Sequence, residues 1–255
     1  HLFLCVNSLL FRFQKNNMSN DFSNILSSAY SNKKPFVAFS KPNSDEVKAM
    51  LQKDTTLHEV VDFAESGFVF APFDAAQSAI LLPPDIEIYA KRSSFKLIKS
   101  PQTSATEIAK LKDTRAKSNH IDLVKKGIDF LEEGNAKKVV LSRAIKVRCT
   151  TDPIAVFLSL LSLYPNAYCY VWYHPKVGLW LGATPETLFK TNRNRFKTMS
   201  LAGTIPYAAD KLPVWGEKEK EEQALVTEYI ASKINHTVSS LTIGETETVR
   251  AGQLW

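Results

Sequence analysis

The chain has 255 residues, 44% of them hydrophobic, enough to bury a substantial core as one large domain or two small ones. Its formal net charge is +6; setting aside Arg12 and Lys15, which stand in a segment of doubtful origin, leaves +4, spread without a basic run, so no nucleic-acid partner is expected. No stretch approaches the about 18 consecutive apolar residues of a membrane span, and three cysteines (Cys5, Cys149, Cys169), odd in number and without metal-ligand spacing, favour a reducing, cytoplasmic setting without disulfides.

Residues 1–17 begin without methionine. Their apolar start resembles a signal-peptide remnant, but Phe11-Arg12-Phe13-Gln14-Lys15 offers no small-residue cleavage site. The favoured expectation is translated upstream sequence, with Met18 as the true start. From Lys34 onward short apolar runs alternate with turns. Strands are expected at 36–39, 67–71, 78–82 and 87–90, the second and third forming a hairpin that Pro83-Pro84 ends. This first third carries no chemical constellation and reads as scaffold.

A polar helical region is expected from about Ser104, with Ile121, Val124, Ile128 and Leu131 on one face and Gly134 in the stop position. Residues 137–147, rich in β-branched and aliphatic side chains, then read as a strand. Asp152-Pro153 starts a further helix that runs to Leu163. Residues 168–173 and 178–182 read as a hairpin around His174-Pro175. Strands and helices in runs, without strict βαβ alternation, argue for an α+β fold of layered, mainly antiparallel sheets flanked by helices.

Four places have residues able to do chemistry, each with a plainer reading beside it. Lys138 stands before three aliphatic residues; it is either the solvent end of a strand or an ammonium that desolvation turns into a base. Thr184-Pro185-Glu186 has the form of a helix start, where a dipole-favoured carboxylate is ordinary and a protonated catalytic one needs burial or a second carboxylate. Leu201-Ala202-Gly203-Thr204 follows an expected strand at 196–200 and is either a simple turn or a close backbone approach to an anion. A helix expected from Lys218 to about Val238 carries Val226, Ile230 and Ile234 on its inward stripe. Glu222 falls on that stripe, where a carboxylate is costly unless paired, protonated or bound to a cation, and Glu219 lies one turn earlier on the same side. The plainer reading of both is a solvated first turn of alternating charges.

In this order the four pieces, with Ala251-Gly252-Gln253-Leu254-Trp255 at the end, resemble the chorismate-utilising enzymes, in particular the isochorismate synthase branch. The resemblance covers roughly residues 100–255. It implies the chorismate-binding, anthranilate synthase component I-like fold, with residues 18–255 as the N-terminal part of a single enzyme domain that is incomplete at its C-terminus and inactive alone. It also implies a monomer that takes chorismate and Mg2+. Lys138 would be the base that activates water, a position where the ammonia-using relatives typically have glutamine. Glu186 would be the general acid, the two pKa values being pushed toward each other. Leu201, Ala202, Gly203 and Thr204 would receive a substrate carboxylate, and Glu222, with Glu219 nearby, would hold the metal. A salicylate synthase and a non-catalytic protein of the same fold remain as alternatives.

Overall fold

The structure, a computed structural model, describes residues 2–6, 19–95, 115–209 and 211–255. The chain divides into two compact units, one of residues 1–100, 152–199 and 249–254, the other of residues 101–151, 200–248 and 255.

The strands lie in the first unit. In chain order they are β1 (Leu2–Val6), β2 (Phe36–Ser40), β3 (Glu46–Leu51), β4 (His58–Glu59), β5 (Gly67–Ala71), β6 (Ile80–Leu82), β7 (Ile86–Lys91), β8 (Tyr168–His174), β9 (Gly178–Thr184), β10 (Lys190–Asn192) and β11 (Arg195–Lys197). Helices α1 (Ser19–Ser31) and α3 (Pro153–Leu163) belong to the same unit, whereas α2 (Ala116–Glu132) and α4 (Glu217–Ile234) form the helices of the second.

Every side chain of β2 is buried, as a strand covered on both faces requires. Antiparallel partners flank it, so that Ala38 lies opposite Ala49 on β3 and Val171 on β8. β7 and β9 complete a five-stranded sheet in the order β7-β3-β2-β8-β9. The two-residue period of the strands sorts the core into two layers. Phe36, Ala38, Cys169 and Val171 pack with Phe22 and Leu26 of α1 and Phe157 and Leu161 of α3. Val37, Phe39, Tyr170 and Trp172 pack with Phe68, Phe70 and Leu82 of a second sheet ordered β1-β5-β6-β4. All named strand pairs in these sheets are antiparallel, in keeping with the α+β expectation.

Several expected elements are present where the residues placed them. Asp152 caps α3 by accepting a hydrogen bond from the Ala155 N–H at 3.0 Å, with Pro153 in the first turn. Gly134 closes α2 in the left-handed region at φ +77°, open to glycine at no steric cost. The expected hairpins form as β5–β6 and β8–β9. β7 joins the five-stranded sheet through β3, a strand the sequence reading passed over, as it did α1.

Other expectations are corrected. Residues 137–147 form no strand: a β-rich composition makes a strand only against a hydrogen-bonding neighbour, and here Val140 is left 80% exposed. No helix starts at Thr184, because the pairing of β8 with β9 continues through Tyr168 opposite Thr184 and the chain then enters the β10–β11 hairpin. The strand expected at 196–200 is confined to Arg195–Lys197. The apolar face of α2 is not covered: Ile121, Val124 and Ile128 are exposed and only Gly127 is buried. α4 ends at Ile234, short of Val238. The part of the polar helical region at 104–114, and residues 7–18, lie outside the described residues.

Two buried groups of the first unit give measurable expectations. The Cys169 thiol is fully buried and burial pushes its pKa up to about 11, whereas Cys149 is exposed. Mild alkylation of the native chain followed by peptide mass mapping is expected to label Cys149 and to spare Cys169 until urea is added. His174 is buried as well; its Nδ1 accepts from the Lys176 N–H at 3.2 Å, which leaves the proton on Nε2, 3.4 Å from the Thr56 carbonyl. Burial, outweighing that carbonyl, holds its pKa below the ordinary value. Folding therefore favours the neutral ring: its stabilisation is complete above the unfolded pKa of about 6.5 and is lost as pH falls through the lower folded value. The urea midpoint is expected to drop between pH 7.5 and pH 5, and His174→Gln to flatten that drop.

Candidate active site

The second unit brings together three of the four pieces singled out in the sequence. After Gly134 the chain returns along α2, with Leu141 and Val139 against Gly127; a Cβ added there would lie 2.9 Å from Leu141 Cδ1 and 3.5 Å from Val139 Cγ1. Lys138, beside Val139, reaches Glu222 on α4, with Nζ 3.0 Å from Oε1. The two side chains are 26% and 35% exposed, so the pair is partly withdrawn from water. Glu222 is thus compensated on its stripe by an ammonium, one of the ways in which a half-buried carboxylate becomes tolerable.

The turn at 201–204 stands against the first turn of α4. Gly203 has φ +78°, and a Cβ on it would come within 2.9 Å of the Glu219 carbonyl oxygen, so both conformation and space call for glycine. Leu201, Ala202 and Gly203 are half-buried, and Thr204 is exposed. The Glu219 carboxylate folds back over Gly216, the residue before the helix: an added Cβ there would meet Oε2 at 2.7 Å. A hydrogen-bonded cluster that the sequence reading missed joins the residue before the turn to the helix. Ser200 and Thr227 hydroxyls are 2.6 Å apart, and Gln223 Nε2 donates to Thr227 Oγ1 at 3.0 Å. The i,i+4 spacing of Gln223 and Thr227 was the available signal; nothing in the sequence announced Ser200 as their partner.

Glu186, the fourth piece, belongs to the first unit. It is exposed on the link between β9 and β10, and its backbone N–H donates to Thr184 Oγ1 at 3.3 Å. The capping contact expected of Thr184 therefore exists without a helix behind it.

The carboxylates can be weighed as a metal site. Among the described residues no group of three or more His, Cys, Asp or Glu side chains is gathered to hold an ion. Magnesium is commonly held by one or two carboxylates, the remaining positions going to water and substrate oxygens. Glu222 has the donor chemistry for that role, a hard carboxylate oxygen that is partly open, although its Oε1 is engaged by the Lys138 ammonium. Glu219 lies one turn earlier on α4, with its carboxylate turned to Gly216.

The chorismate binding enzyme family profile matches residues 84–253, which include all the residues above and begin earlier than the resemblance at 100–255. The chain belongs to this family of chorismate binding enzymes. It is 30% identical over 109 residues to anthranilate synthase component 1 of Thermococcus kodakarensis, covering 42% of this chain and 24% of that protein. It is 28% identical over 95 residues to anthranilate synthase component 1 of Saccharolobus solfataricus (37% and 22%), and 26% identical over 144 residues to the isochorismate synthase MenF of Escherichia coli (52% and 33%). Most of the significant curated relatives bear the anthranilate synthase name. The matches span between about a fifth and a third of the relatives' own length. No solved structure matches the chain significantly. Among the described residues no helix is long and apolar enough to cross a membrane.

Proposed function

We propose that the chain supplies the base and a metal carboxylate of a magnesium-dependent isochorismate synthase, as part of a protein of the relatives' length. The observation that supports this reading is the contact between Lys138 and Glu222, which puts the lysine and the carboxylate read as base and metal ligand side by side in one unit. The similarity to the Escherichia coli isochorismate synthase, over 144 residues, is consistent with it.

In this reading Lys138 takes a proton from a water molecule as its oxygen bonds to C2 of chorismate. The two ring double bonds shift by one position, the C4–O bond breaks on the opposite face, and the hydroxyl leaves as water with a proton from Glu186. One water is consumed and one released, so atoms and charge balance. The bound metal supplies positive charge that neutralises a chorismate carboxylate; Glu222 would hold it, with Glu219 nearby. The turn of Leu201, Ala202, Gly203 and Thr204 would receive another substrate carboxylate through backbone N–H groups that the absent glycine side chain leaves approachable.

The second reading is ammonia chemistry, favoured by the anthranilate synthase relatives. Lys138 argues against it, since the family resemblance implies glutamine at this place in ammonia-using enzymes. Chromatography of the products formed from chorismate and magnesium separates the readings. Isochorismate alone is expected; salicylate with pyruvate would point to a salicylate synthase, and anthranilate would overturn the water reading.

A further inference from the structure

The Lys138–Glu222 contact has a consequence for metal binding that rests on the reading of Glu222 as a metal ligand. Among the described residues Lys138 is the ion-pair partner of Glu222; the nearest lysine on the same helix to be paired, Lys220, is engaged with Glu217 at 2.8 Å. The ammonium occupies Glu222 Oε1, the side of the carboxylate turned toward it. A magnesium ion takes a carboxylate oxygen at about 2.0–2.1 Å. An ammonium left 3.0 Å from that same oxygen would then lie only a few ångströms from a doubly charged ion, where like charges repel appreciably even in water.

We propose that Lys138 is the counter-ion of the metal carboxylate: its ammonium holds Glu222 in the metal-free chain and must leave it when a divalent cation binds. The ion pair and the metal site are mutually exclusive arrangements of one oxygen. Two properties follow. The metal-free chain binds magnesium more weakly than Glu222 would allow by itself, because the ammonium has first to be displaced. Lys138, once displaced, is released from its carboxylate, and its ammonium has to be hydrated or find another anion. The coupling is reciprocal, as any linkage between two ligands of one group must be.

Titration of the full chain with magnesium by calorimetry, with manganese binding followed by electron paramagnetic resonance and no chorismate present, tests the inference. Lys138→Met keeps the length of the side chain and removes its charge; it is expected to bind either ion about two- to fivefold more tightly than the native chain, the scale set by a partly exposed ion pair. Lys138→Arg keeps the charge and is expected to bind no more tightly than native, a pattern that mere loss of packing would not produce. Lys138→Gln serves as a second neutral variant should the methionine variant fail to fold by circular dichroism. Glu222→Gln is expected to abolish the binding. Neutral variants that bind no more tightly than native, while Glu222→Gln still loses the metal, would overturn the counter-ion role and leave Glu222 as a ligand. Undiminished binding by Glu222→Gln would place the metal elsewhere and remove the underlying site reading together with the inference. Absence of binding by the native chain and by both neutral variants would overturn the counter-ion role as well.

Discussion

Replacing Lys138 by Ala in a protein of the relatives' length is expected to lower the rate of water addition to chorismate by about 10²- to 10⁴-fold, the usual contribution of a positioned general base. The loss should fall on kcat more than on KM, because proton removal from water is made in the transition state and not in the bound substrate. The fold should survive. Lys138 sits in an irregular segment and is partly exposed, and its partner Glu222, also partly exposed, can be hydrated once alone. Removal of such a pair costs about 1 kcal/mol at most. Steady-state kinetics, with far-UV circular dichroism as the control for folding, checks both halves. A variant that keeps its rate would remove Lys138 from the role of base.

Trp172→Ala is expected to cost about 3–5 kcal/mol of stability, the range of large-to-small replacement of a buried indole. Trp172 is wholly buried between the two sheets of the first unit and stacks on Phe70 with ring centroids 4.3 Å apart and planes within 14°. Its neighbours come from strands of both sheets, so the cavity cannot close without moving backbone. Among the described residues the indole N–H has no hydrogen-bond partner. Trp172→Phe, which removes that donor and keeps an aromatic ring, should therefore lose much less than the alanine variant. Urea unfolding of the two variants and the native chain measures the difference. A loss below about 1 kcal/mol for the alanine variant would contradict the packing described.

The parts of the fold that could be read from the sequence are those whose signal is local. The uninterrupted apolar run of β2, the turn between β8 and β9, and the Asp152-Pro153 start of α3 each follow from a few adjacent residues. β3 was hidden because Glu46 and Lys48 dilute its pattern. Its strand character comes from pairing on both sides, with Lys48 held by Glu87 of β7 at 2.6 Å. Residues 137–147 show the reverse case: strand-forming side chains without a strand, since propensity cannot supply a neighbour. Thr184-Pro185-Glu186 carries a local helix-start pattern that the pairing of β9 overrides.

The candidate site divides in the same way. Lys138, Gly203 and Glu222 were singled out by residue type and place, Glu222 because a carboxylate on its helical stripe is costly unless paired, protonated or bound to a cation. That the cation is Lys138 could not be read, because no spacing rule connects residues so far apart in sequence. Gly203 was read as a turn residue, and the further reason for it, the approach of the Glu219 carbonyl, is visible only in three dimensions.

The choice between water and ammonia as the nucleophile is the centre of the account, and it rests on Lys138. Incubation of a protein of the relatives' length, carrying these residues, with chorismate and magnesium in ¹⁸O-labelled water containing ammonium, followed by mass spectrometry, tests it most directly. The expected product is isochorismate with one ¹⁸O at C2 and no nitrogen incorporated. Anthranilate, or any product with nitrogen at C2, would contradict the assignment.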